Sequence, residues 1–184
     1  MGGVVGPVAF VGAWLVGSTS TTGYSMVDDA ISRLAASVAS TRPLMTAGFV
    51  AFGLGVPAFG VGLRTVLDGP AWIAAIVSGV ATLGVAALPL DVSHTMDLAH
   101  GVAATLGYVS ITAAPLLAAR PLSKLGHRRA RTCSWTAGAI SAACLAATVA
   151  GPAHGLFQRM GLTVGDAWLI AAGLSIATGR LRPE

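Results

Sequence analysis

Residues 98–131 read LAHGVAATLGYVSITAAPLLAARPLSKLGHRRAR, an apolar run followed at once by a cluster of basic side chains. The apolar part, positions 98–119, is long enough to cross the hydrocarbon core of a bilayer as an α-helix, which takes about 20 residues. The basic part is typical of a loop on the cytoplasmic side of a membrane. This stretch therefore predicts a membrane-spanning helix and its orientation.

The rest of the chain repeats this pattern, with further apolar spans at 4–22, 43–67, 71–90, 132–151 and 163–179. Of the 184 residues, 54% are hydrophobic and only 10% are charged, whereas a soluble domain carries about 25% charged residues. We therefore predict an all-α fold, a single polytopic bundle of about six transmembrane helices over residues 1–184, with the lipid bilayer as its partner. The net charge of +4 does not indicate a nucleic-acid partner, because the basic residues lie between the apolar spans.

The distribution of charge predicts the orientation of the bundle. The loops after the second and fourth spans and the C-terminal segment carry eight of the eleven Lys and Arg, and the opposite side carries three. The positive-inside rule then places both termini in the cytoplasm, for a multi-pass protein of the cell membrane. The acids show the reverse bias, since five of the seven are expected on the outer side: Asp28, Asp29, Asp91, Asp97 and Asp166.

The first outer connection, GYSMVDDAISRLAASVASTRP at 23–43, predicts a short amphipathic helix between helices 1 and 2. Ser25 is a good N-cap residue with Asp28 three positions later, close to a capping box. Asp29 and Arg33 have the i, i+4 spacing of a helical ion pair. Such a helix would lie along the outer interface or enter the mouth of the bundle.

Five stretches make the chain recognisable: GPVAFVGAWLV, GYSMVDDAISRLAAS, RPLMTAGFVAFG, ALPLDVSHTMDLAHGVAATLGY and GLFQRMGLTVGDAW. Together they resemble the bacterial integral-membrane family named domain of unknown function 998, in order and over nearly the whole chain. The resemblance implies a helical membrane fold and a set of polar positions, without a settled function. Asp29 matches the family's acid in the second stretch, whereas Asp28 departs from its pattern, where a basic or neutral residue is more usual.

Three polar clusters are the candidates for chemistry. Asp91, His94, Asp97 and His100 are spaced by three residues, and His100 lies inside an apolar span, where an ionisable group is costly and suggests function. We predict that Asp29, Asp97 and His100 are catalytic acid–base residues in an outward-facing pocket. The predicted substrate-binding residues come from the same clusters: Tyr24, Asp28, Arg33, Asp91, His94, Tyr108, His154, Gln158, Arg159 and Trp168.

Each cluster also has a purely structural interpretation. Asp97 would cap the fourth span, Asp91 would end the third span in water, and Asp29 with Arg33 would be a surface ion pair. Trp168 would be an interfacial anchor. Zinc is the one metal considered, with His94, His100 and His154 as ligands, but the chain lacks a paired-histidine motif. We therefore predict neither a metal nor another cofactor.

The predicted function is acid–base catalysis within the membrane on a hydrophobic small molecule, a lipid or isoprenoid. Proton-initiated terpenoid cyclisation is one concrete version, although aromatic residues make up only 6% of the chain and pockets that stabilise cations usually contain rings. Two alternatives remain: a non-catalytic binder or transporter of a lipid or small molecule, and an accessory membrane subunit.

Overall fold

The protein is described here by a computed structural model that covers residues 1–181. Within those residues six α-helices form the fold: α1 Gly2–Ser20, α2 Arg42–Arg64, α3 Ala71–Ala87, α4 His94–Lys124, α5 Arg128–Ala150 and α6 His154–Ala177. A 3₁₀ helix, Ile31–Ala35, lies between α1 and α2. Five of the α-helices are long and apolar enough to cross a membrane, and α3 is a shorter apolar helix of 17 residues. The polytopic helical bundle predicted from the sequence is therefore confirmed.

The six helices form a closed ring. Each helix packs against its neighbours in sequence, and α1 also packs against α6. The connections after α2, α3, α4 and α5 are short, so the helices that they join run antiparallel, and the 3₁₀ helix lies in the longer connection between α1 and α2. We call the end that carries the 3₁₀ helix and the starts of α2, α4 and α6 the 3₁₀ end. Three phenylalanines fill the middle of the ring near α1, with the Phe10 ring 5.7 Å from Phe49 and 5.5 Å from Phe52.

Two helices are longer than the hydropathy pattern predicts. Helix α4 continues to Lys124 instead of ending near position 119. Helix α6 begins at His154, nine residues before the predicted start at 163. Asp166, which the sequence pattern places on the outer side at the start of the span 163–179, therefore lies about 18 Å along α6 from the first residue of that helix, at a rise of 1.5 Å per residue. It is a buried residue of the membrane interior.

The connection between α1 and α2 contains a helix, as predicted, but a shorter and more deeply inserted one. Residues 25–29 form a turn, and the helix has only the five residues Ile31–Ala35. Ile31 and Leu34 are buried in the bundle, whereas Met26, Val27 and Val38 are exposed. The helix therefore closes the 3₁₀ end of the ring instead of lying flat on the membrane.

Candidate functional site

A cavity of about 40 Å³ lies inside the ring, near the 3₁₀ end. A buried water needs about 10–15 Å³ of such space, so the cavity has room for about three waters. Residues from α1, α2, α3, α4, α6 and the 3₁₀ helix line it, so no two helices form it alone. The lining includes all of the aromatic and ionisable residues that face this cavity: Phe10, Phe49, Phe52, His100, Tyr108 and Asp166.

His100 is the predicted catalytic residue that lines this cavity. It is 5% exposed, and its Nδ1 lies 2.6 Å from the carbonyl oxygen of Leu88, just after the last residue of α3. A carbonyl oxygen only accepts hydrogen bonds, so Nδ1 carries the proton and donates it. In the tautomer with its one proton on Nδ1, the ring has a lone pair on Nε2, and this atom is buried and has no partner among residues 1–181. His100 is therefore oriented as a proton acceptor.

Asp166 is the ionisable residue of the cavity that the sequence interpretation missed. Its side chain is 2% exposed, and neither carboxyl oxygen has a hydrogen-bond partner in the described part of the chain. Buried polar groups in native proteins nearly always have a hydrogen-bond partner, so two carboxyl oxygens without one among the described residues require an explanation. The rule that identified His100, an ionisable group within an apolar helix, also applied to Asp166, which lies three residues inside the predicted span 163–179.

Aromatic rings form the apolar part of the cavity lining. Phe10, Phe49 and Phe52 all line it, and together they are three of the five phenylalanines of the chain. The low overall content of aromatic residues is therefore misleading, because the fold concentrates the rings at one place. A cavity with several ring faces and two ionisable groups, each with polar atoms that have no partner among residues 1–181, has the features expected of a small-molecule site.

Tyr108 and Gln158 connect the cavity to the 3₁₀ helix. Tyr108 lines the cavity, and its hydroxyl accepts a hydrogen bond from Nε2 of Gln158. The Oε1 atom of Gln158 accepts a bond from the backbone N–H of Ile31 at 2.8 Å. Both were predicted as substrate-binding residues, but only Tyr108 lines the cavity, and Gln158 holds the 3₁₀ helix in position beside it.

Arg159 and Tyr24 fasten the preceding turn onto α6. Nη1 of Arg159 donates to the carbonyl oxygens of Met26 at 2.9 Å and Asp29 at 2.8 Å, and Nη2 donates to the Tyr24 hydroxyl. Burial raises the pKa of Tyr24, although the neighbouring Arg159 guanidinium opposes that shift. The phenol therefore stays protonated and donates to the carbonyl oxygen of Ala30 at 3.1 Å. These residues form a structural clasp over the site.

Asp28 and Asp29 lie in this turn, outside the cavity lining. The Asp29 carboxylate accepts a hydrogen bond from the Ser25 backbone N–H at 2.8 Å, and Asp28 accepts one from the Ser25 hydroxyl, also at 2.8 Å. Arg33 pairs with Asp91, at 2.8 Å, instead of with Asp29. The predicted i, i+4 ion pair is absent from the described salt bridges because residues 25–29 form a turn and not an α-helix.

The turn between α3 and α4 gathers the remaining residues of the first cluster. Asp91 has a left-handed backbone conformation (φ +64°), and its backbone N–H donates to the Asp97 carboxylate at 3.0 Å. Asp97 thus holds this turn and does not line the cavity, and His94 is exposed as the first residue of α4. The structure therefore does not bring Asp29, Asp97 and His100 to one place.

His154 and Trp168 also lie away from the cavity lining. His154 is exposed at the start of α6. Trp168 is 8% exposed and donates from Nε1 to the Ser134 hydroxyl at 2.8 Å, in the contact between α5 and α6. Its indole is therefore part of the bundle interior and not an anchor at the membrane surface.

Over residues 1–181, no three His, Cys, Asp or Glu side chains are grouped in a way that would hold a metal ion. His94, His100 and His154, considered above as zinc ligands, lie in different surroundings, since His100 is buried and the other two are exposed.

The family expected from the sequence is confirmed by comparison with known proteins. A family model with the description Protein of unknown function (DUF998) matches residues 4–175. The chain therefore belongs to this family. No curated protein and no solved structure matches it.

Proposed function

We propose that the protein is an intramembrane enzyme that performs acid–base chemistry on a hydrophobic small molecule of the lipid or isoprenoid class. The observation that supports this proposal is that His100 and Asp166 line one cavity, and that both carry buried polar atoms without a partner in residues 1–181. Such a pair is costly to bury, and the one hydrogen bond between His100 and Leu88 leaves three polar atoms of the pair without a partner in the described residues. A substrate that uses both groups would repay the cost.

The two groups have complementary roles in this proposal. An isolated carboxylate in apolar surroundings costs several kcal/mol, so Asp166 acts as a neutral carboxylic acid, a proton donor. The free lone pair on Nε2 makes His100 the proton acceptor. These assignments replace the triad of Asp29, Asp97 and His100, since only His100 of the three lines the cavity.

A proton-initiated isomerisation or cyclisation fits this arrangement. Asp166 donates its proton to one carbon of an alkene, and the positive charge develops on the carbon skeleton. His100 then removes a proton from a carbon next to the cation, and a new double bond forms. The product is an isomer of the substrate, and the proton returns from His100 to Asp166 through water. The faces of Phe10, Phe49 and Phe52 would stabilise the cation.

The size of the cavity limits what enters it. A volume of about 40 Å³ admits only the reacting end of a lipid or isoprenoid chain. The rest of the substrate would then lie between helices and in the bilayer, which suits a molecule already dissolved in the membrane.

The same small volume supports a second candidate, a non-catalytic binder. Here His100 and Asp166 would hold the polar head of a small amphiphile as hydrogen-bond acceptor and donor, with no proton transfer to carbon. A binder retains its ligand unchanged, and this difference separates the two candidates.

Deuterium incorporation tests the proposal. The purified protein in nanodiscs is incubated in D₂O with a mixture of polyprenyl compounds and membrane lipids, and the mixture is analysed by mass spectrometry. An acid–base enzyme produces an isomer that carries one deuterium, because the proton added to carbon comes from solvent. His100→Gln and Asp166→Asn should abolish it, whereas the exposed controls His94→Gln and Asp68→Asn should retain it.

Other results would contradict the proposal. A ligand that co-purifies with the wild type, is lost in both cavity variants and never gains deuterium would identify a binder. If neither the wild type nor any variant forms a product or retains a ligand, only the accessory role remains.

We further propose that both termini face the cytoplasm of the cell, which places the cavity nearer the outer face. The excess of basic residues at the ends of α2 and α4 supports this orientation. A reporter enzyme that is active only outside the cytoplasm, fused after Glu184, should be inactive, whereas a reporter fused after Ser37 should be active.

A further inference from the structure

A second, larger depression lies at the opposite end of the bundle from the cavity. It is a groove of about 710 Å³ between the turn that joins α2 to α3 and the C-terminal part of α4. Gly69 in this turn has φ +89°, and a Cβ atom there would lie 3.4 Å from Cγ of Pro121. The turn is therefore packed directly against α4, so both walls of the groove belong to the folded bundle.

Three cations line this groove: Arg64, Arg120 and Lys124. The one acid in its lining is Asp68, so the groove has a net charge of three minus one, or +2. Arg120 and Lys124 are one turn apart on α4 and therefore lie on the same face of the helix. No salt bridge joins any of the three to an acid within residues 1–181. Their charge is therefore available to a ligand.

Arg64 is held in place before any ligand arrives. Its guanidinium carbon lies 4.9 Å from the centre of the Trp72 ring, a cation–π contact between the end of α2 and the start of α3. This contact leaves the guanidinium N–H groups free, because a ring face takes up none of them. A fixed guanidinium loses less side-chain entropy on binding than a free one.

The remaining lining of the groove is apolar. Val66, Leu116, Leu117 and Pro121 contribute to it, and Leu117 is 39% exposed. Arg64 and Lys124 are the last residues of their helices, which places them at the depth of lipid headgroups, with the leucines of α4 toward the hydrocarbon. A free phosphate ion would use the cations alone, whereas a phospholipid would use the cations and the apolar wall together.

We propose that this groove is a binding site for an anionic phospholipid, with the headgroup phosphate on Arg64, Arg120 and Lys124 and one acyl chain along Leu116 and Leu117. The site is separate from the cavity of His100 and Asp166 and does not depend on the function proposed for it. Its occupant would join α2, α3 and α4 at one membrane surface.

Lipid binding to the purified full-length protein tests this site. Native mass spectrometry gives dissociation constants for phosphatidylglycerol and for phosphatidylcholine with the same acyl chains. Phosphatidylglycerol should bind more tightly. The double variant R120Q/K124Q should weaken phosphatidylglycerol about 25-fold, at about fivefold for each removed cation, and should weaken phosphatidylcholine less, because its choline group already offsets the charge of the phosphate. The matched control R128Q/R129Q removes the same charge at the start of α5, outside the groove, and should weaken phosphatidylglycerol much less than R120Q/K124Q does.

Three results would overturn the proposal. Equal affinity for the two lipids would show that the cations do not bind a headgroup. An equal loss in the control variant would show that total charge and not the groove attracts the lipid. Displacement of phosphatidylglycerol by inorganic phosphate would identify a free-anion site instead.

Discussion

Polar side chains are buried in two regions of this bundle, and the two regions treat them differently. Where α4, α5 and α6 meet, Ser141 donates to the carbonyl oxygen of Gly161 at 2.9 Å and bonds with Thr112 at 3.0 Å, and Ser134 accepts from Trp168 at 2.8 Å. In the cavity, by contrast, His100 has one free nitrogen and Asp166 has two free oxygens within the described residues. The first region is therefore complete as a structure, and the second has the polar surface that a ligand would complete.

This comparison shows how polar side chains that stabilise a membrane protein can be distinguished from those that serve its function. Hydroxyl groups cost little when they bond to a helix carbonyl, and they bring helices together. An ionisable group whose polar atoms have no partner is costly to bury, and those atoms do not hold helices together. Its presence therefore indicates a role that the folded chain alone does not show. Three experiments test this contrast, in order of decreasing expected effect on stability.

Trp168→Ala should cause the largest change. Trp168 is buried against Phe59, with ring centres 6.2 Å apart, and its indole N–H is paired. Loss of a buried tryptophan costs about 3–5 kcal/mol, which corresponds to a fall in melting temperature of about 6–20 °C for a chain of this size. Thermal unfolding in detergent micelles measures it. Trp135→Ala is the matched control, because Trp135 is 57% exposed and faces lipid, and it should change the melting temperature little.

Asp166→Leu should have the opposite sign. An unpartnered buried polar group costs about 1–3 kcal/mol, so an apolar replacement should raise the melting temperature while it abolishes the proposed activity. The same thermal unfolding experiment measures the first effect, and the deuterium assay measures the second. A lower melting temperature would mean that the carboxyl group already has a stabilising partner, and the contrast between the two regions would fail.

The contact between Thr112 and Ser141 should give the smallest effect. A double-mutant cycle with Thr112→Val, Ser141→Ala and the combined variant isolates the energy of this one hydrogen bond. Interhelical bonds of this kind average about 0.6 kcal/mol, so a coupling close to that value is expected. A coupling near zero would remove this bond as evidence that the α4–α5–α6 region is held together by its polar pairs.

Part of the candidate site could be predicted from the sequence. His100 was identified because it interrupts an apolar run, and this holds whatever the neighbouring helices do. Asp166 was missed because Gln158 and Arg159 lower the hydropathy before it, so the predicted span began at 163 and Asp166 fell in its first turn, at the outer surface. Gln158 and Arg159 are nevertheless buried in the structure. Their polar atoms bond to the segment that precedes and includes the 3₁₀ helix, which lies more than a hundred positions away in the chain.

Asp29 and Asp97 show the opposite error. Each lies near the 3₁₀ end and has the residue type of a catalytic acid, yet each carboxylate accepts a hydrogen bond from a backbone N–H in its own turn. Whether such an acid caps a turn or enters a cavity depends on the path of the backbone over a few residues. Composition and spacing do not contain that information.

By itself, the sequence determined that this chain is a helical membrane protein with six apolar segments, because the length and hydropathy of a segment decide whether it can satisfy its backbone within lipid. It also determined the family, through stretches distributed over the whole chain. Only the tertiary structure decided that the helices close into a ring, that α6 carries Asp166 to the level of His100 and three phenylalanine rings, and that the predicted acids stay in their turns. Those outcomes depend on which side chains meet across distant helices, and hydropathy is a property of each helix alone.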